Sequence, residues 1–209
     1  MEMKTRRALF QFALVLAILT VVYNLIEGIA AIYFGLEDET LALFGFGLDS
    51  FVEVISGIGI WHMVLRIRKS GDEHRDIFEK RALQITGSAF YLLTIGLVLS
   101  SIYNLFSGAH PETTFWGLVI AGLSILVMWW LIRNKIKVGK ALNSDAIIAD
   151  ANCTKACMQL SFVLFAASLG YELFGIGKID AIGSLIIAGI AFREGKESFE
   201  KSRNQNNCC

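Results

Sequence analysis

At 209 residues, 55% of them hydrophobic and only one of them proline (Pro111), the chain allows one compact unit and is richer in apolar residues than most soluble domains. Its 19 basic and 19 acidic residues cancel, so no generally anionic partner is indicated and nothing points to nucleic acid. The four cysteines, Cys153, Cys157, Cys208 and Cys209, do not make a secreted disulfide framework, because two of them sit inside an apolar stretch.

Charge is clustered, and the runs between clusters are about 20 residues long, the length of helix that crosses a bilayer. In chain order the expected spans are 8–34, 40–65, 82–106, 113–132, 141–174 and 179–192, with a short polar tail at 193–209. The basic start, Met1 to Arg7, is like that of a signal peptide. The run after it is too long and has no clear small-residue cleavage site, so it reads as a retained first span. The fifth run exceeds what hydrocarbon needs, and its first turns are expected to project into the cytoplasm. Basic residues gather before span one, at 66–81 (Arg66, Arg68, Lys69, Arg75, Lys80, Arg81), at 133–140 and after span six, while the other loops carry almost none. That asymmetry predicts both termini in the cytoplasm. The expected fold is all-α: a single polytopic membrane domain of six transmembrane helices, with a tail too short to bury a core of its own.

Asp49 and Glu53 stand four residues apart inside the second apolar run. That spacing puts both carboxylates on one helical face, with Cβ atoms roughly 5–6 Å apart. Two acids so placed in hydrocarbon repel and are costly to ionise, and a divalent cation is the simplest partner. A water-filled vestibule at a helix end is the plainer reading, but their mid-span depth favours function. Cys153 and Cys157 repeat the spacing in span five. Alone they are weak evidence, since cysteine is a common small hydrophobe in buried helices. Their stripe, Asp150, Cys153, Cys157 and Ser161, is polar, however, and Asn152, Thr154 and Lys155 surround it. A disulfide is opposed by helical geometry and by a reducing cytosol. Asp49, Glu53, Cys153 and Cys157 are therefore the candidate metal ligands. Asp150 is a candidate outer acceptor, or a group that meets the cation on its way in. Asn24 and Glu27, three apart in span one, either line the same cavity or bond between helices. Asp180 is expected to cap the start of span six. His62 and His74 read as solvated interface histidines, Trp61, Trp116, Trp129 and Trp130 as interfacial belts, and Cys208 and Cys209 belong to no further motif.

These residues carry a resemblance. Leu43-Phe44-Gly45-Phe46-Gly47-Leu48-Asp49-Ser50-Phe51-Val52-Glu53 is similar to the second-span motif of the cation diffusion facilitator family, six-helix divalent-metal/proton antiporters. Ser144-Asp145-Ala146-Ile147-Ile148-Ala149-Asp150-Ala151-Asn152-Cys153-Thr154-Lys155-Ala156-Cys157 is similar to the fifth-span motif, with cysteine at both ligand positions. Ile179-Asp180-Ala181-Ile182-Gly183 resembles the start of the sixth span, and Glu79 a recurrent acidic feature before the third. Most members carry a cytoplasmic metal-binding domain after span six, so the chain resembles the short branch without it. The resemblance implies two ligands from each of spans two and five, and a homodimer.

Ligand chemistry points to the cation independently. Two thiolates and two carboxylates in a tetrahedron suit Zn²⁺, with Cd²⁺ a competitor, and disfavour Mg²⁺, Ca²⁺ and, less strongly, Mn²⁺. Empty, such a site holds protons, and metal binding releases them. If the site opens alternately to each side, that exclusion alone gives Zn²⁺/H⁺ antiport, with zinc as the transported substrate and no organic cofactor. Enzyme activity is not expected, and an intramembrane hydrolase in particular lacks a serine–histidine or aspartyl-pair arrangement of the needed kind. The other readings are a membrane metal sensor or scaffold that binds without transport, and a dithiol redox protein using Cys153 and Cys157. The expected location is a bacterial-type cytoplasmic membrane.

Overall fold

A backbone with no water to satisfy its N–H and C=O groups must satisfy them internally, and a single apolar segment does so only as a helix. The computed structural model, which describes residues 2–70, 75–107, 114–142, 145–176 and 178–204, is built accordingly. Its helices are α1 (Glu2–Glu37), α2 (Leu41–Ser70), α3 (Arg75–Ser107), α4 (Phe115–Leu142), α5 (Asp145–Phe174) and α6 (Lys178–Asn204), and no strand occurs among the described residues. Four contain segments long and apolar enough to cross a membrane: Ala8–Glu37, Leu41–Gly59, Phe115–Leu142 and Asp150–Phe174. A shorter apolar segment, Gly87–Tyr103, lies in α3. Leu92, Ile95, Leu99 and Phe106 on α3, and Ile26, Ile29, Tyr33 and Leu36 on α1, point outward. Such residues in water would be a liability; against lipid they are the expected surface. The chain is a polytopic integral membrane protein.

The helices outrun the apolar spans. They are 27 to 36 residues long, or about 40–54 Å at 1.5 Å per residue, against roughly 30 Å of hydrocarbon. The stretch 133–140, expected as a basic loop, is instead the last turns of α4. Lys135, Val138, Gly139 and Leu142 continue its buried stripe, while Arg133, Lys137 and Lys140 face out. The tail expected from 193 is likewise helical to Asn204, with Gly195, Ser198 and Ser202 buried. There Phe199 stacks on Tyr91 of α3 at 5.5 Å between ring centroids. Hydropathy marks where lipid ends, whereas amphipathic spacing lets a helix go on as long as it has a neighbour to cover.

α1 packs most extensively on α2, α3 on α6 and α4 on α5, and α2 also touches α3, α5 and α6. The closeness of α1 and α2 depends on Gly47, where a Cβ would meet the Ile32 backbone nitrogen at 2.9 Å and Ala31 Cβ at 3.0 Å. A core of Leu43, Phe46, Leu97, Leu160, Leu164 and Ile187 fills the centre. Between α1 and α2 the chain turns through Glu39 at φ 54°. The Thr40 N–H closes back on Gly35 O at 2.9 Å, which satisfies a carbonyl that the end of α1 leaves open.

Asp180 corrects an expectation. Its carboxylate caps α2, not its own helix: Leu41 N–H donates to Oδ2 at 2.9 Å and Ala42 N–H to Oδ1 at 3.2 Å. The start of α2 leaves these N–H groups without helical partners, and an acid there also meets the positive end of the helix dipole. No local sequence signal marks a cap that arrives from another helix.

Candidate metal centre

Asp49 and Glu53 project from α2 at its contact with α5, and only 1% and 3% of their surfaces are exposed. Opposite them on α5 is Cys157, also buried. Its thiol donates to Asp49 Oδ2 at 3.2 Å. The second Asp49 oxygen and both Glu53 oxygens have no hydrogen-bond partner. Buried oxygens are rarely left so, and each one costs roughly 1–3 kcal/mol or more.

The buried stripe of α5 is Asp150, Thr154, Cys157 and Ser161. Cys153 flanks it, half-buried, and neither Cys153 nor Cys157 is in a disulfide. Thr154, which the sequence marks only as background polarity, is wholly buried. The structure thus brings Asp49 and Cys157 into contact, with Glu53 one turn along and Cys153 to the side. Among the described residues, no three His, Cys, Asp or Glu side chains stand close enough together to grip a metal ion.

Glu27 of α1 reaches the same region. Its two oxygens accept from Tyr23 Oη at 2.8 Å and from Ser50 Oγ at 3.1 Å, so it is tied to the residue next to Asp49. Asn24 turns along its own helix, donating Nδ2–H to Thr20 O at 2.9 Å, and its Oδ1 has no partner. Between α5 and α4, Ser161 Oγ donates to Ser124 Oγ at 2.9 Å.

Lys135 is the residue that sequence reasoning missed. It is 1% exposed, and its ammonium donates to Asp150 Oδ2 and to Thr154 Oγ1, both at 2.8 Å. Its charge lay in a cluster read as a loop. The spacing from Leu131 and Ile132 to Val138 and Gly139 puts it on the buried face and was the signal available.

His62 is exposed, as expected of an interface histidine. Trp116 stacks on Phe34 at 4.2 Å near one end of the bundle, and Arg133 lies 3.9 Å over Trp129 near the other. His74, Cys208 and Cys209 lie outside the described residues, as does the side chain of Glu79.

Comparison with known proteins agrees with this architecture. The model of the cation efflux transmembrane domain matches residues 13–204. An uncharacterised transporter of Methanocaldococcus jannaschii is 29% identical over 82% of this chain and 62% of its own. The manganese efflux system protein MneP of Bacillus subtilis is 27% identical over 89% of this chain and 66% of its own. The magnetosome protein MamB of Paramagnetospirillum magneticum is 26% identical over 78% of this chain and 56% of its own. The chain thus spans just under two thirds of the length of the first two relatives.

Proposed function

The chain belongs to the cation efflux family, and on that premise we propose that it exports a divalent metal cation, Zn²⁺ as the favoured substrate, in exchange for protons. The carrying observation is the Cys157–Asp49 contact at 3.2 Å between α5 and α2, beside a Glu53 whose oxygens have no partner. Asp49, Glu53 and Cys157 form the heart of the ligand set, and Cys153 swings in as the fourth ligand when the cation binds. The thiol proton on Asp49 is what the metal displaces. Each ligand must shed its proton to coordinate, so acid weakens binding and alkali strengthens it. Opened first to one side and then to the other, such a site runs cation and protons in opposite directions.

Both termini face the cytoplasm in this reading, supported by basic residues at the ends of α4 and α6. The membrane is a bacterial-type cytoplasmic one and the working unit a homodimer, the latter on family likeness alone. Manganese is the second reading, because MneP is named for manganese efflux. Thiolate at the site argues against it, since Mn²⁺ prefers oxygen ligands.

The test is uptake of Zn²⁺ and, separately, Mn²⁺ by proteoliposomes carrying a metal-sensitive dye under an imposed pH gradient. Gradient-dependent zinc flux exceeding manganese flux is expected. The reverse order would replace the substrate, and zinc binding without flux would make the protein a sensor or scaffold.

A further inference from the structure

A lysine ammonium is costly to bury, and a merely structural ion pair repays that cost only when every charged atom is matched. Lys135 does not meet that condition. Its ammonium is matched by Asp150 Oδ2 and Thr154 Oγ1, but Asp150 Oδ1 and both Glu53 oxygens have no partner. The pair is therefore incomplete on its acidic side, and Asp150 shares a buried helix stripe with Cys157 of the candidate metal centre. Asp150 and Thr154 are one turn apart on α5, and Cys157 follows on the same buried stripe. Lys135 thus holds the same stripe of α5 whose Cys157 meets Asp49 of α2. The lysine comes from α4, and no described helix break separates it from the apolar residues Met128, Leu131 and Ile132 that fix its height in the bundle.

We propose that Lys135 is a tethered counter-cation for the transport site: held by Asp150 and Thr154, its ammonium offsets the charge of Glu53 and Asp49 and so sets how tightly the site holds its divalent substrate. The idea rests on the transport reading of Asp49, Glu53 and Cys157 and adds a residue that none of their motifs contains. Among the described residues, Lys135 is the only buried basic side chain. With a divalent cation bound, like charges oppose each other in a buried, poorly screened interior, and the metal is held less tightly than its ligands alone would hold it. Release into either compartment is faster for it. Asp150 governs the strength of the effect, since its carboxylate at 2.8 Å offsets the ammonium's charge. Lys135 is thus a positioning residue: it touches no substrate and acts through the carboxylates.

The test is equilibrium binding of Zn²⁺ to the full chain in lipid nanodiscs, comparing wild type with Lys135→Gln, Lys135→Arg, Asp150→Asn and the Lys135→Gln/Asp150→Asn pair. Lys135→Gln is expected to tighten binding about tenfold, the effect of a modest change in charge energy. Asp150→Asn removes the negative charge that offsets the ammonium and is expected to weaken binding by a similar factor. The double variant returns toward wild type, and Lys135→Arg stays near it. In flux assays Lys135→Gln lowers KM and kcat together, because release slows. Opposite signs for the two single variants are the signature of charge coupling. Equal signs, both weakening binding or both lowering the folded yield with recovery in the double variant, would reduce Lys135–Asp150 to a structural pair and overturn the proposal. Because the readout is binding, a wild type that binds Zn²⁺ without moving it would defeat the transport reading and still leave the comparison of variants decisive.

Discussion

Two buried acid sites in this bundle are satisfied in opposite ways. Asp180, 2% exposed, gives each of its oxygens to a backbone N–H at the start of α2. Asp49 and Glu53, buried as deeply on the same helix, share one thiol hydrogen bond and leave three oxygens without a partner. Burial alone does not separate the two sites. The unmet acceptors do, and they are what the proposed ligand role of Asp49 and Glu53 would answer.

The comparison is broken most severely by changing Asp49. Asp49→Asn is expected to lower zinc flux by more than about 100-fold, beyond the range typical of residues outside a metal's direct ligands. Its thermal stability should hold or rise, because an awkward buried charge is gone. Asp180→Ala is expected to do the reverse. Two N–H groups at the head of α2 lose a charged acceptor, which costs about 1–3 kcal/mol. The melting temperature of the purified protein should fall while flux per folded molecule is retained. Asp180→Asn, which keeps an acceptor, should lose less. If Asp180→Ala instead abolished flux without unfolding, the division between the two acids would fail. The smallest effects separate the cysteines. Cys157→Ser, at the residue that touches Asp49, should weaken zinc binding about tenfold. Cys153→Ser, at the half-buried flanking position, should weaken it less. Equal losses would place the two thiols on the same footing, as the sequence spacing alone suggested.

The all-helical architecture and the Asp49–Glu53 pair were legible in the sequence because both follow from periodicity and hydropathy. Apolar runs of membrane length report helices, and an i,i+4 spacing reports a shared face, whatever the rest of the chain does. Helix ends were less legible. Val138 and Leu142 carry the buried face of α4 past Ile132, and Ser198 and Ser202 do the same for α6, in stretches whose mean composition is polar. Local reading also cannot foresee that a carboxylate at position 180 caps a helix beginning at Leu41, or that Lys135 meets Asp150, because both depend on how distant helices pack. The choice between Cys153 and Thr154 for the buried stripe is of the same kind. The sequence allows either to face α2, and packing turns Thr154 inward.

The ligand set itself is the central claim, and X-ray absorption at the zinc edge on the zinc-loaded protein tests it most directly. A mixed shell is expected, with sulfur at about 2.3 Å and oxygen at about 2.0–2.2 Å, losing sulfur in Cys157→Ser. A shell of nitrogen and oxygen only, unchanged by Cys157→Ser, would contradict it and move the site away from the α2–α5 contact.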